Sequence, residues 1–221
     1  MRTGEYEQDL PVRKKRLRAP PDSEKRKDNR PSEAVETFTE LKPFVHNPHY
    51  HEQREKSLSC LDMDSIDRPI QELIRGFTRL SCCFTIQSCF GHFIHQYQTD
   101  PENCEPLPRT PDVTDVDYRI AYMALCIQNN DTGRALFNDL KELTGIDPEY
   151  VQFGCAEWFW NRQVNTYVLQ VEPEKFKTRD RALINVHEAL CVESARNVLF
   201  DRLRRIILNR DTDENVRSQN G

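Results

Sequence analysis

Apolar residues recur with helical spacing in the segment 67–80, which we predict to be a helix. They fall at i, i+3, i+4, i+7 and i+10 and so form one apolar face. Asp67 and Pro69 stand where a helix commonly begins, because a carboxylate can cap the first turn and proline fits there. The residues of the face are Ile70, Leu73, Ile74, Phe77 and Leu80.

Alternating polar and apolar residues predict a strand at 82–89. Strict alternation would put Thr85, Gln87 and Cys89 on one face of that strand. The segment 116–127 has the strongest strand pattern in the chain, and its two apolar faces are typical of a central strand. Further strands are predicted at 93–97, 150–156 and 164–171.

Two further helices are predicted at 132–144 and 179–209, and a loop with four prolines occupies 98–115. The arginines of the last helix, Arg196 among them, are expected to be mostly solvated. The order of elements predicts an α+β fold, with a mostly antiparallel sheet, helices packed on one side and a long C-terminal helix.

Charge divides the chain into an extension and a body. Residues 1–32 carry ten Lys/Arg and six Asp/Glu, whereas the whole chain has a net charge of −5. With so little apolar surface to bury, this basic N-terminal tail is expected to stay disordered. We predict a disordered or loosely ordered extension at 1–60, a single α+β domain at 61–209 and a polar tail at 210–221.

No apolar run is long enough to span a bilayer, and none follows Met1 as a signal peptide would. The eight cysteines lie in predicted strands and helices more than in loops, which favours reduced thiols. A cytoplasmic protein is therefore expected. Nuclear location is the alternative if the basic run 13–18 is a localisation signal.

The segment 84–93 carries a carboxamide, a hydroxyl, a thiol, a glycine and an imidazole within six positions. A strand end followed by a glycine turn is a common place for ligand-binding groups. The alternative is structural, with buried apolar cysteine, a hairpin glycine and a hydrogen-bonded histidine. The residues predicted to bind a ligand are Thr85, Gln87, Ser88, Cys89, Gly91 and His92.

A second candidate lies between the last two predicted strands. Trp158 and Trp160 are the only tryptophans of the chain, and Glu157 and Arg162 flank them. Aromatic rings beside an acid and an arginine can stack on a base and bind its polar edge. We therefore predict that Glu157, Trp158 and Arg162 bind the ligand, with closure of the core at a hairpin end as the alternative.

Four residues near the same stretch have the donor types of a tetrahedral zinc site. Their spacing is C-x2-H-x2-H-x8-C, and they are Cys89, His92, His95 and Cys104. A strand at 92–95 would point the two histidines to opposite faces, which weighs against the site.

The run from 72 to 91 resembles the N-terminal signature of the wybutosine-synthesising tRNA methyltransferases related to the third enzyme of that pathway. In that family, a helix with a Leu-Ile face precedes a strand that ends in a Thr-Thr-Ser-Ser-Cys-Ser-Gly-Arg-like run. Phe90 and His92 replace the family's serine and arginine. The resemblance implies a shared fold, an S-adenosylmethionine site and methyl transfer. The matching positions are Thr85, Ser88, Cys89 and Gly91.

Three functions are therefore predicted. The first is binding of an adenosyl or nucleotide-like ligand at Gln87–His92, with S-adenosylmethionine-dependent methyl transfer as the reaction that the resemblance implies. The second, of a different class, is a non-catalytic interaction protein whose basic tail, residues 13–30, binds a partner such as nucleic acid. The third is the zinc site of Cys89, His92, His95 and Cys104.

Overall fold

The chain has the predicted α+β fold, with antiparallel strands and a long C-terminal helix. These features come from a computed structural model, which describes residues 38–173 and 180–219. The predicted disordered tail, with its basic segment 13–30, lies outside the described residues. None of the described helices combines the length and the apolar character that a bilayer crossing needs.

The described residues form five α-helices and eight strands. The helices are α1 (Tyr50–Ser59), α2 (Gln71–Arg79), α3 (Asp131–Glu142), α4 (Glu157–Arg162) and α5 (Val186–Gln219). The strands are β1 (Phe38–Thr39), β2 (Cys83–Cys89), β3 (His92–Ile94), β4 (Asp115–Arg119), β5 (Ala121–Ile127), β6 (Val151–Ala156), β7 (Thr166–Val171) and β8 (Arg181–Asn185).

The strands form two antiparallel sheets. Five strands pair in the order β1-β6-β7-β5-β2, and three pair in the order β3-β4-β8. β5 has β7 on one side and β2 on the other, and nearly all of its residues are buried. The two apolar faces of this strand therefore reflect a central position, as the sequence predicts.

Helices cover the two faces of the five-stranded sheet unequally. α2, α3 and α5 enclose the main core on one face, with Phe77, Leu136 and Leu203 buried in it. On the other face, α1 contributes Tyr50 and α4 contributes Phe159 to two smaller apolar clusters. The second face is only partly covered, which leaves room there for a groove.

The folded body begins before residue 61, where the predicted domain starts. Phe38 of β1 lies opposite Ala156 of β6. Tyr50 of α1 is buried, and its hydroxyl donates a hydrogen bond of 3.0 Å to the Ser81 carbonyl. Residues 38–59 therefore pack as part of the domain, although few of their side chains are apolar.

Arg54 joins α1 to the C-terminal end of α2. Its guanidinium donates to the carbonyl oxygens of Thr78 at 2.7 Å, Leu80 at 3.0 Å and Cys83 at 3.3 Å. The last carbonyls of a helix have no partner within the helix, so a side chain that binds them completes the helix end.

A β-bulge at Ile86 changes which side chains of β2 share a face. Thr85 pairs with Leu125, and Gln87 pairs with the next residue back, Ala124. Residues directly opposite each other share a face, so Thr85 and Gln87 lie on different faces of the sheet. The predicted strict alternation is therefore wrong at this point, because a bulge inserts one residue and redirects the side chains that follow.

The long strand predicted at the centre of the sequence is two strands in different sheets. The chain leaves the ladder at Ile120, whose N–H donates to Asp180 O at 3.2 Å. Beside the break, the Tyr118 hydroxyl donates to Val171 O at 2.7 Å and accepts from Ala121 N–H at 2.9 Å. These bonds connect the two sheets, and an apolar pattern that continues through the break cannot reveal them.

α4 replaces the predicted connection between β6 and β7. Phe159 packs with the apolar cluster around Val168, and Trp160 contacts Tyr167 edge to face with ring centres 5.7 Å apart. Trp158 remains 52% exposed. Two of the three aromatic rings therefore anchor the short helix to the sheet.

The predicted helix at 179–209 begins later than expected because β8 precedes it. In β8, Ala182 and Ile184 are buried and alternate with exposed residues, as in a strand with one covered face. β8 pairs with β4, and Asn185 Oδ1 then accepts the N–H of Glu188 at 2.9 Å at the start of α5.

Candidate functional site

The turn between β2 and β3 depends on Gly91, which has a φ of +89°. A Cβ atom at this position would lie 2.8 Å from Cβ of Ala121 and 3.0 Å from its backbone nitrogen. Only glycine therefore fits, both in conformation and in space. The turn brings Cys89 and His92 to the same point of the structure.

Asp67, which precedes α2, faces this turn. Its Oδ2 accepts the N–H of Phe90 at 2.6 Å and lies 3.4 Å from Nε2 of His92. One donor atom from each of Asp67, Cys89 and His92 lies within 4.8 Å of the other two. We call these three residues the Asp67–Cys89–His92 cluster.

Backbone groups fix the side chains of the cluster. The N–H of Gly91 donates to Cys89 Sγ at 3.4 Å. Nδ1 of His92 lies 3.0 Å from the carbonyl oxygen of Asn103, and because that oxygen can only accept, Nδ1 carries the proton. Cys104 Sγ lies 3.9 Å from the same nitrogen, on the side of the ring away from Asp67.

The electrostatics of the cluster follow from these contacts. The hydrogen bond with Asp67, and after it one with Cys89, raises the pKa of His92 to about 10. Burial alone would raise the pKa of Asp67, but the hydrogen bonds from His92 and Phe90 outweigh burial and hold it below its usual value. Asp67 and His92 therefore form an ion pair at neutral pH. Burial raises the pKa of the Cys104 thiol to about 11.

Arg196 supports the turn from α5. Its side chain is buried, so the predicted solvation is wrong for this residue. Nη1 donates to Gly91 O at 3.0 Å, and the guanidinium carbon lies 4.0 Å from the ring centre of Phe90. Glu193 lies 3.7 Å from Nη2 and balances the charge. Burial lowers the pKa of Arg196.

The cluster opens on a cavity of about 450 Å³, which we call the polar compartment. A second cavity of about 350 Å³ is lined by aromatic residues of β5 and α4, and we call it the aromatic compartment. Gln87, Arg119 and Tyr122 line both. The two compartments therefore adjoin, and together they form what we call the groove.

Most residues predicted at the strand end line the polar compartment, which meets side chains from both faces of β2 because β2 is the last strand in the order of its sheet. Gly91 lies behind its wall, against Ala121, where it shapes the turn. The predicted residues that line the compartment are Thr85, Gln87, Ser88, Cys89 and His92.

The three residues predicted in α4 have different positions. Trp158 lines the aromatic compartment. The guanidinium carbon of Arg162 lies 3.6 Å from the ring centre of Trp158, and Nζ of Lys42 pairs with Glu157 at 2.5 Å. Of the three residues predicted in α4, Trp158 is therefore the one that lines a compartment. Glu157 and Arg162 are not in the described lining of either compartment.

Sequence reasoning missed four residues of the site. Asp67 carries a signal as a helix start, which is the common role of a carboxylate at that position. Arg119 and Tyr122 belong to a strand pattern and carry no separate signal. Arg196 occupies a polar position in a helical pattern, so the pattern predicts that its side chain is exposed to solvent.

The four residues that spacing suggests as zinc ligands do not all come together in the structure. Cys89 and His92 come together, and Asp67 joins them as the third donor among the described residues. Cys104 reaches the other nitrogen of His92. His95 pairs with Gln98 through the backbone, and its Nδ1 accepts the N–H of Tyr97 at 3.4 Å.

The fold and the site define an α+β protein with a two-part groove beside a carboxylate–thiol–imidazole cluster whose thiol and imidazole are buried. No protein-family model matches the chain, and no curated protein matches it. Among solved structures, the chain is similar to the PH1069 protein from Pyrococcus horikoshii. The identity is 10%, the TM-score is 0.42, and the match covers 72% of this chain and 96% of that chain.

Proposed function

We propose that the groove binds an adenosyl or nucleotide-like ligand, with S-adenosylmethionine as the preferred one. The observation that carries the proposal is that Gln87, Arg119 and Tyr122 line both compartments. A single elongated ligand can therefore contact the strand end and the aromatic helix together. The volumes of the two compartments lie in the range of small-molecule sites, roughly 300–1,000 Å³.

The aromatic compartment suits a planar base. Tyr122 and Phe159 have ring centres 6.3 Å apart at an angle of 43°, and the half-exposed ring of Trp158 lies beside them. Aromatic faces stack on bases, and carboxamides can donate to and accept from the base edge. Gln87 provides such a group in the lining.

The polar compartment suits a ribose and a charged tail. Hydroxyl groups of Ser57, Ser65 and Ser88 line it and can bind sugar hydroxyls. Three carboxylates line it too, and the two cations near them are already paired: Arg119 with Glu102 at 3.4 Å and His92 with Asp67 at 3.4 Å. The carboxylates are Asp62, Asp67 and Glu102.

This charge distribution favours one kind of adenosyl ligand over another. A polyphosphate would meet like charge, whereas a sulfonium and an ammonium group would meet opposite charge. The resemblance of residues 72–91 to methyltransferases points to the same ligand. S-adenosylmethionine, when bound, supplies a methyl group. The part of this chain in the reaction is to hold the donor and the acceptor in contact and in the correct orientation.

The test is calorimetry of the folded chain with S-adenosylmethionine, S-adenosylhomocysteine, adenosine and ATP. We expect the first two to bind and ATP to bind more weakly than either. Gln87→Ala and Tyr122→Ala, at two of the residues that line both compartments, should each weaken binding about tenfold, or about 1.4 kcal/mol. Arg202→Met, an exposed arginine on α5, is the matched control and should bind like the wild type.

Two results would overturn the proposal. One is the absence of binding by all four compounds to folded protein, and the other is unchanged affinity in both groove variants. Methyl transfer is tested separately, with labelled S-adenosylmethionine and unmodified tRNA. We expect the wild type to transfer label to the tRNA and Gln87→Ala to transfer less. Equal transfer by both proteins would contradict the proposal.

A further inference from the structure

We propose that the Asp67–Cys89–His92 cluster binds a zinc ion at the wall of the polar compartment. The three residues come from two segments that the fold brings together, the residues before α2 and the junction of β2 with β3. They differ from the four-residue set that spacing suggests, because Asp67 takes part and His95 and Cys104 do not.

The geometry fits a tetrahedral ion. With Zn–N and Zn–O distances of about 2.0–2.1 Å, the nitrogen–oxygen edge of a zinc tetrahedron is about 3.3 Å. Nε2 of His92 and Oδ2 of Asp67 are 3.4 Å apart. The donor atom of Cys89 lies within 4.8 Å of both, so a small movement of one side chain brings it to a zinc–sulfur bond.

Each donor is already held by a second group, as metal ligands in proteins usually are. Nδ1–H of His92 donates to Asn103 O at 3.0 Å, which directs Nε2 toward Asp67 and Cys89. The N–H of Phe90 donates to Asp67, and the N–H of Gly91 donates to Cys89 Sγ. Two successive amide groups of one turn therefore support the carboxylate and the sulfur.

The chemistry of the donors selects the metal. A thiolate and an imidazole are ligands of zinc and other late transition metals, whereas magnesium and calcium prefer oxygen alone. Zinc also accepts a carboxylate as a third ligand. The set of one sulfur, one nitrogen and one oxygen therefore fits zinc better than a hard cation.

The remaining coordination position faces the groove, since all three residues line the polar compartment. Zinc sites with three protein ligands and one open position are typical of catalysis, in which the ion binds water or a substrate oxygen. The buried side chains of Cys89 and His92 form the protein side of such a site. The proposal does not depend on an adenosyl ligand, and its test uses the metal alone.

The experiment measures metal in the full chain after treatment with a chelator and dialysis against zinc, and repeats the loading with cobalt(II). We expect about one equivalent of zinc per chain, as for a three-ligand site. Cobalt(II) should give an intense near-ultraviolet thiolate band and visible bands of a tetrahedral ion. Cys89→Ser should lose the thiolate band, and Asp67→Asn should weaken zinc binding by at least ~10-fold.

Two variants serve as matched controls. Cys104→Ser and His95→Gln alter the residues that spacing alone selects, and both should retain the zinc and the cobalt spectrum. Loss of the thiolate band in Cys104→Ser with retention in Cys89→Ser would overturn the proposal. Less than about a tenth of an equivalent of zinc in the folded wild type would also overturn it. In that case Asp67 and His92 would form an ion pair that binds no metal. If Cys89→Ser does not fold, the wild type still decides, because zinc must raise its melting temperature and chelator must reverse the rise.

Discussion

The guanidinium of Arg196 on α5 donates a hydrogen bond of 3.0 Å to the carbonyl oxygen of Gly91. The C-terminal helix thereby supports the turn that carries Cys89 and His92. The contact spans 105 residues of the sequence, and its donor is a buried charge. Removing it should affect both the stability of the domain and the order of the site.

Arg196→Met should lower the free energy of unfolding by about 3–5 kcal/mol, because it leaves the buried carboxylate of Glu193 without its cation. The double variant with Glu193→Gln should lose less than the sum of the two single changes, since no charge is then left unpaired. Urea unfolding measures all three proteins. Arg202→Met is the control, within about 0.5 kcal/mol of the wild type. A similar small loss in Arg196→Met would contradict the structure.

Gly91→Ala should destabilise the domain by about 1–3 kcal/mol, because the added methyl group meets Ala121 and the backbone is left-handed. Gly145→Ala is the matched control, since a Cβ atom there has no neighbour within 4 Å. Urea unfolding of the two variants should therefore differ clearly. Equal stability of the two would show that the turn does not need glycine.

Glu172 should make stability depend on pH. Burial, and after it the charge of Asp180, raises the pKa of this carboxyl from 4.5 to about 9. Its Oε1 accepts from Gln170 Nε2 at 2.8 Å, and its Oε2 has no hydrogen-bond partner among the described residues. The folded state thus holds a proton that the unfolded state releases.

The direction of the pH dependence of stability follows from this difference in protonation. The contribution of Glu172 is fully present below about pH 4.5 and is lost as the pH rises to about 9. Glu172→Gln keeps the shape of the neutral acid, so its free energy of unfolding should exceed that of the wild type increasingly from pH 5 to 9. The gain should reach the order of a few kcal/mol. Glu149→Gln at an exposed position should show no such trend, and parallel curves for wild type and Glu172→Gln would refute the assignment.

Ligand binding in the groove should quench tryptophan fluorescence through Trp158. This ring lines the aromatic compartment, whereas Trp160 packs against Tyr167. Trp158→Phe should therefore abolish most of the change that S-adenosylmethionine produces, and Trp160→Phe should preserve it. The opposite pattern would place the ligand elsewhere.

The elements that local patterns specify were predictable. The apolar face of α2, its start near Pro69, and the strands β2 and β7 follow from spacing alone. The ligand residues at the end of β2 were also predictable as a group, because their density of polar chemistry is local. Five of the six predicted there line the polar compartment.

What sequence reasoning could not supply is set by distant contacts. Asp67 joins the site only because the turn after β2 returns to it, 23 residues later at Phe90. Arg196 is buried because the rings of Phe90 and Phe93 and the carbonyl oxygen of Gly91 replace its hydration. The strand β8 forms because β4 offers an edge to pair with. None of these partners is visible in the residues next to the one concerned.

The break at Ile120 places two side chains on one surface that a continuous strand would separate. Residues three apart on a regular strand point to opposite faces. Arg119 and Tyr122 nevertheless line the same groove, because one ends β4 and the other lies in β5. The change of sheet therefore reverses the direction in which the side chains point. A regular strand through residue 120 would turn Arg119 away from any ligand that contacts Tyr122.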